Sequence, residues 1–229
     1  MALMPRLRQL LRRSGSASTV GTRRPTSSRR RGDTVHEDAL RAVLSENPND
    51  ERAFQALAEI VRRHAAQAHT DEDPLAAESD APTRRREADL AEWALAEELA
   101  GNPKAWYPLL ELARLSIGDD HEGTLRRLAT AAERDPSGQA LSSGLELLRE
   151  AGMPVDALGL GVGHWRPREH VAEAGRQVVL AALDAERPLE ARLQLDALVA
   201  STPHKAEVRA FAGDLESRIE QSRQRMAGA

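Results

Sequence analysis

The sequence predicts an all-α fold, and three observations carry that expectation. Hydrophobic residues make up 41% of the chain but aromatics only 3%, so Ala and Leu supply most of the packing, and both are strong helix formers. The clusters of Val, Ile, Tyr and Phe that strands favour are missing. Apolar residues recur instead at helical spacing, in short segments closed by Pro, Gly or Asn. At 229 residues the chain is long enough for one good-sized domain and a tail.

The chain opens on a basic segment. Residues 1–32 hold nine arginines (Arg6, Arg8, Arg12, Arg13, Arg23, Arg24, Arg29, Arg30 and Arg31) and neither lysine nor acid. The remaining residues carry 23 basic against 36 acidic side chains, so a cationic tail precedes an anionic body and the net charge is −4. Leu3, Leu7, Leu10 and Leu11 can share one helical face, while Ser14 to Gly32 is polar enough to be disordered by itself. Such a tail suits phosphate contacts with nucleic acid or a ribosome, an anionic membrane surface, an organelle transit peptide, or a simple solvated extension. Only Lys104 and Lys205 are not Arg among the basic residues. A GC-rich genome produces that bias unaided, so Arg content alone is weak support for phosphate binding.

Helices are expected from here on. Val35, Ala39, Leu40, Val43 and Leu44 make an apolar stripe over Thr34–Glu46, with Asp33 or Thr34 as cap and Asn47-Pro48-Asn49-Asp50 as stop. A second helix spans Glu51–Gln67 through Ala53, Phe54, Leu57, Ala58, Ile60 and Val61. Residues 68–87 are polar and contain two prolines, and read as a disordered insertion. The next helix covers Arg86–Ala100, with Leu90, Ala91, Ala94, Leu95 and Leu99 inward and Trp93 against a neighbour.

Pro103–Pro136 then carries two amphipathic runs, Trp106/Leu109/Leu110/Ala113 and Leu125/Leu128/Ala129/Ala132, separated by Gly118-Asp119-Asp120. Gln139–Ala151 follows with Leu141, Leu145 and Leu148 on its core face, then Gly152-Met153-Pro154. In the following LGLGVGHWRP the glycines lower helix propensity by about 1 kcal/mol each. Pro167 is expected to start a helix reaching Ala185, with Val171, Ala174, Val178, Val179, Ala182 and Leu183 buried. Arg187-Pro188 breaks it, Leu189–Ala200 comes next with Ala191, Leu195, Leu198 and Val199 apolar, and Lys205–Arg223 closes the series on Val208, Phe211, Leu215 and Ile219.

Self-similarity runs through this series. Ala53-Phe54-x-x-Leu57 repeats the spacing of Ala105-Trp106-x-x-Leu109, each after an Asn-Pro, and Ala91 precedes Pro103 by twelve residues as Ala191 precedes Pro203. The 34 residues from Pro103 to Pro136, with Ala105-Trp106, Leu109, Gly118-Asp119 and Ala131 to Pro136 at its landmarks, resemble the tetratricopeptide repeat.

That resemblance implies a right-handed superhelix of antiparallel helix pairs over residues 33–225, between the basic tail and a short end at 226–229. It also implies a non-catalytic scaffold that holds a protein or peptide in a concave groove lined by first helices. The groove residues it selects are Arg52, Gln55, Glu59 and Arg62; Lys104, Tyr107, Glu111 and Arg114; and Gln139, Ser142, Glu146 and Arg149. Glu59/Arg62, Glu111/Arg114 and Glu146/Arg149 are spaced to pair along their own helices, each such pair contributing about 0.3–0.5 kcal/mol. The Asn and Lys arrangement of chaperone-tail-binding members is not matched.

Catalytic and cofactor patterns are not found. The chain has no cysteine, which excludes disulfides, thiolate metal sites and Cys nucleophiles. Its seven histidines (36, 64, 69, 121, 164, 170 and 204) are scattered without an HExxH arrangement, so no metal is expected. Gly159, Gly161 and Gly163 lack the preceding strand and third-glycine spacing of a dinucleotide loop, and a close helix-packing surface is the simpler reading. Glu97-Glu98 and Asp119-Asp120 are ordinary face and turn residues, and Ser142-Ser143-Gly144 lies on an expected helix rather than a strand-to-helix elbow. No apolar run approaches the roughly 20 residues of a bilayer span. The expectation is a cytoplasmic, cofactor-free, non-enzymatic protein.

Overall fold

The structure, a computed structural model, describes residues 27–70, 81–201 and 206–228. Ten helices occur among the described residues and no strand. They are α1 (Ser27–Glu46), α2 (Glu51–Thr70), α3 (Ala81–Ala100), α4 (Tyr107–Ser116) and α5 (His121–Arg134). The remainder are α6 (Gln139–Glu150), α7 (Pro154–His164), α8 (Ala172–Asp184), α9 (Pro188–Ser201) and α10 (Ala206–Ala227). Contacts divide the chain into two units, Met1–His36 and Glu37–Ala229.

Within Glu37–Ala229, successive helices from α2 onward pack on one another. From α4 onward a next-but-one contact is added: α4 on α6, α5 on α7, α6 on α8 and α8 on α10. One apolar core runs from Leu44 to Ile219, with Leu57, Leu128, Leu141, Leu145, Leu148, Val178 and Leu195 among its fully buried members. A smaller cluster of Ala172, Leu198 and Val208 sits under Trp165 and Phe211.

Several helix ends differ from expectation for local reasons. α1 begins at Ser27, so Arg29, Arg30 and Arg31, expected in a disordered tail, fall within a helix; Arg is a good helix former. Its expected stripe is exposed at Val35 and Val43, while Leu40 and Leu44 join the core. The expected insertion shrinks from both sides: α2 runs to Thr70, and α3 starts at Ala81 with Pro82 in the first turn, where its fixed φ is already helical. Its centre, 71–80, lies outside the described residues, as do residues 1–26, with Arg6, Arg8, Arg12, Arg13, Arg23 and Arg24, and Pro203 and Lys205. Leu90 is 59% exposed; Ala88, Leu95 and Ala96 define the buried face of α3, and Leu90 lies across the helix from it.

The glycine-rich stretch is helical after all, as α7. A Cβ at Gly161 would stand 2.8 Å from Cγ2 of Val178, whereas Gly159 and Gly163 face open space. Close approach of α7 to α8 therefore uses one glycine of the three.

Pro167 does not start a helix, and Val171 is exposed where burial was expected. The segment 165–171 is held instead by the α5–α6 turn: the Val171 amide donates to the Ser137 carbonyl at 2.8 Å. The ring of the buried His170 packs beside Gly138, whose φ of 79° and crowded Cα leave no room for a side chain. The Arg166 amide donates to His170 Nδ1 at 3.3 Å. Burial, and after it the nearby Arg166, push the His170 imidazolium below its ordinary value of 6.5.

Candidate functional site

The residues selected from the sequence lie on α2, α4 and α6, except Lys104, which stands in the α3–α4 connection, and their geometry begins with how these helices are started. α2 is capped by Asp50, whose Oδ1 accepts from the Ala53 amide at 2.9 Å. α4 has no cap of its own, since Trp106 at its N-cap position makes no side-chain bond. Asn49 supplies one from the α1–α2 turn: its Oδ1 accepts from the Trp106 and Tyr107 amides at 2.7 and 3.0 Å. Its Nδ2 donates to the Lys104 carbonyl at 2.8 Å. α6 is started by Asp135, which accepts from the Ala140 amide at 2.7 Å and from Ser137 N and Oγ at 3.0 and 2.7 Å. The α3–α4 connection is held from α5, where Arg134 Nη1 donates to the carbonyls of Ala100, Asn102 and Ala105 at 2.9, 3.1 and 2.9 Å.

Tyr107 is the centre of the α2–α4 part of the face. Its ring meets Phe54 and Trp106 edge-on, at centroid distances of 5.4 and 6.0 Å. Its hydroxyl accepts from Gln55 Nε2 at 3.2 Å and is bonded on its other side to Glu111. Burial, then the bond and the negative charge of Glu111, raise the Tyr107 phenol well above its ordinary value of 10.0, so it stays a donor. Glu111 is only 7% exposed and also pairs with Arg114 at 3.3 Å. Tyr107, Glu111 and Ser142 are thus largely interior, which leaves little of them for a partner. Arg52, Gln55, Glu59, Lys104, Arg114, Gln139 and Glu146 are exposed.

Of the three ion pairs expected along single helices, Glu111/Arg114 forms and the others are replaced. Arg62 reaches across to α3, bonding Glu92 and, at 3.0 Å, Asp89, while Glu59 pairs with Arg63 at 3.4 Å. The Glu92 bond chiefly raises the Arg62 guanidinium further above its already high value. Arg149 spans to α8 instead, donating to Asp184 at 2.7 Å and to Gln177 at 2.6 Å. Gln177 in turn donates to Glu173 at 2.8 Å, which also accepts from Arg176 at 2.8 Å, and the Arg176 guanidinium lies 5.9 Å from the Phe211 ring centre.

α8 therefore adds a fourth helix to the face, which the sequence reading left out. The signal was there: Glu173, Arg176 and Gln177 stand at i, i+3 and i+4 in a helix otherwise rich in Ala, Val and Leu.

The other side of the fold is organised differently. Trp93 packs under the Arg127 guanidinium at 4.9 Å, as expected of a helix-contact residue. Arg127 donates to Ser116 Oγ and Asp120 Oδ2, at 3.0 and 3.2 Å, and Ser116 Oγ lies 2.9 Å from Thr124 Oγ1. Asp120 caps α5 through the Gly123 amide at 2.8 Å, and that bond, with Arg127 adding to it, holds its carboxyl below the usual range.

Among the described residues no buried side-chain polar atom lacks a partner, and no group of three or more His, Asp or Glu is placed to hold a metal ion. No described helix is long and apolar enough to cross a membrane. The class that these observations define is an all-helical protein. The chain matches no protein-family model, no curated protein and no solved structure.

Proposed function

We propose that this chain is a non-catalytic binding scaffold, acting in the cytoplasm, whose α2, α4, α6 and α8 present one face to a protein or peptide. The observation that supports the reading is the next-but-one packing of α4, α6, α8 and α10. Stacking every second helix sets successive helices side by side, as tandem helix pairs of a superhelical repeat would. The polar residues along them are tied to one another across helices, Gln55 to Tyr107 and Arg149 to Gln177. A face whose side chains are already ordered loses less entropy on binding. Its exposed groups carry both signs, with Arg52, Lys104 and Arg114 among Glu59 and Glu146. The partner it suits is a mixed-charge segment rather than a polyanion.

A second reading rests on the nine arginines of residues 1–32, which suit nucleic acid or a ribosome. Affinity purification with mass spectrometry separates the two, using the full chain and a full-length variant with those nine arginines changed to Gln, each with and without nuclease. A partner retained in all four arms, and lost on Gln55→Ala with Glu59→Arg, supports the scaffold. Partners that vanish with nuclease or with the arginines refute it.

A further inference from the structure

The connection from α7 to α8 is a strap fastened at both ends. The Trp165 amide closes α7 by donating to the Gly161 carbonyl at 2.8 Å. The Trp165 ring lies against α8, where a Cβ at Gly175 would stand 2.7 Å from its Cζ2. At the far end Ala172, only 2% exposed, begins α8. Between these anchors Arg166, Arg168, Glu169 and Val171 are exposed and Pro167 is half-buried. His170, 4% exposed, is the one strap residue that enters the interior.

His170 holds the strap as a hydrogen-bond acceptor. Its Nδ1 receives the Arg166 amide at 3.3 Å, so the neutral ring carries its proton on Nε2. The Glu169 and His170 amides fold the strap back on the Arg166 carbonyl at 3.1 and 3.0 Å. The ring packs against Gly138, and the neighbouring Val171 amide donates to the Ser137 carbonyl at 2.8 Å, so both ties lead to the α5–α6 turn. The charged and titratable groups around the ring are Arg166 and Glu169 on the strap, Asp135 in the α5–α6 turn and His164 at the end of α7. Both oxygens of Asp135 are already taken, Oδ1 by Ser137 and Oδ2 by the Ala140 amide.

The strap also builds a cleft. Arg166, Pro167 and Arg168 line it together with Trp165 and with Ala197 and Ala200 of α9. We propose that protonation of His170 releases residues 166–171 from the α5–α6 turn and withdraws both arginines from the cleft beside Trp165. A proton from solvent at Nδ1 turns the acceptor into a donor that faces the Arg166 N–H, and two donors cannot bond each other. Burial and the Arg166 charge already oppose the imidazolium while the strap is closed, and release returns it to water. The closed strap is therefore fully favoured above pH 6.5, and that advantage is lost as pH falls toward the lower value of the closed form. None of the exposed groups on the face of α2, α4, α6 and α8 takes part, so the inference goes beyond the binding role proposed above.

The test is nuclear magnetic resonance on the full chain from pH 7 to 5, following the His170 ring, the Trp165 indole and amide hydrogen exchange. Exchange is read as protection factors, which remove its intrinsic pH dependence. As His170 becomes an imidazolium, protection at Val171 and Arg166 should fall by up to about tenfold per pH unit, while Leu145 and Val178 in the core keep theirs. The Trp165 indole resonance should shift with the same midpoint. In H170Q, whose side chain does not titrate, Val171 protection should stay level. A Val171 or Trp165 signal that is unchanged once His170 is charged overturns the proposal, as does a His170 still neutral at pH 5. So does a loss at Val171 that only follows Leu145 and Val178, or one that is equally large in H170Q. Should H170Q fail to fold by circular dichroism, the comparison of Val171 with Val178 in the wild type decides alone.

Discussion

Asn49→Ala is expected to destabilise the protein by about 2 kcal/mol, although Asn49 lies in a turn far in sequence from the helix it supports. The side chain closes three hydrogen bonds to the start of α4: two accepted from the Trp106 and Tyr107 amides and one donated to the Lys104 carbonyl. Truncating a helix N-cap costs about 1 kcal/mol. Leaving a second half-buried amide and a carbonyl to find water adds about 1 kcal/mol more. At about 2–4 °C per kcal/mol for a domain of this size, the midpoint should fall by about 4–8 °C. Asn49→Asp keeps the acceptor and places negative charge at a helix start, so it should cost less than Ala. Asn47→Ala removes only an exposed 3.2 Å bond from the Asn49 amide and should change stability by less than about 0.5 kcal/mol. Urea unfolding of the three variants decides the matter. An Asn49→Ala midpoint indistinguishable from that of Asn47→Ala would refute the idea that α4 is capped from another helix pair.

Two further outcomes follow from the glycines and from His170. Gly159→Ala and Gly163→Ala should each stabilise by up to about 1 kcal/mol, because both are helical and face open space. Gly161→Ala should destabilise, since its methyl would press on Val178 at 2.8 Å; thermal unfolding of the three distinguishes them. His170 titrates below 6.5 in the folded chain, so the unfolded chain binds the proton more readily. Its neutral form therefore contributes stability that is fully present above pH 6.5 and is lost as pH falls through the folded value. His170→Gln should flatten the fall in urea midpoint between about pH 7 and 5 relative to the wild type.

Helix existence was legible because it depends on spacing that repeats every few residues, and breakers such as Gly118-Asp119-Asp120 and Pro188 stand where the helices change. Orientation was less so. Leu90 and Ala91 are neighbours in sequence, yet only tertiary packing decides that Leu90 is the one left outside. The start of α8 was misplaced because Pro167 is a sound local signal. The Val171 amide is claimed instead by Ser137, which no local window contains. The same cause altered the candidate face. Arg62 and Arg149 have acids at helical spacing, but neighbouring helices bring Glu92 and Asp184 into direct contact, and the cross-helix pairs win. Exposed pairs along one helix contribute too little to compete.

The borrowed caps have a consequence for how the body comes apart. α4 draws its N-terminal partner from the turn before α2, the end of α3 is satisfied by Arg134 at the end of α5, and the approach to α8 hangs on Ser137. In a stack of self-sufficient repeats, an end pair frays while its neighbours stand, and unfolding spreads unit by unit. Here, detaching one pair strands backbone groups in another, so loss of α2 weakens α4 and loss of α5 weakens α3. Such a body is expected to melt in one step, with hydrogen exchange finding the amides of α2 and α4, and those of α3 and α5, opening together.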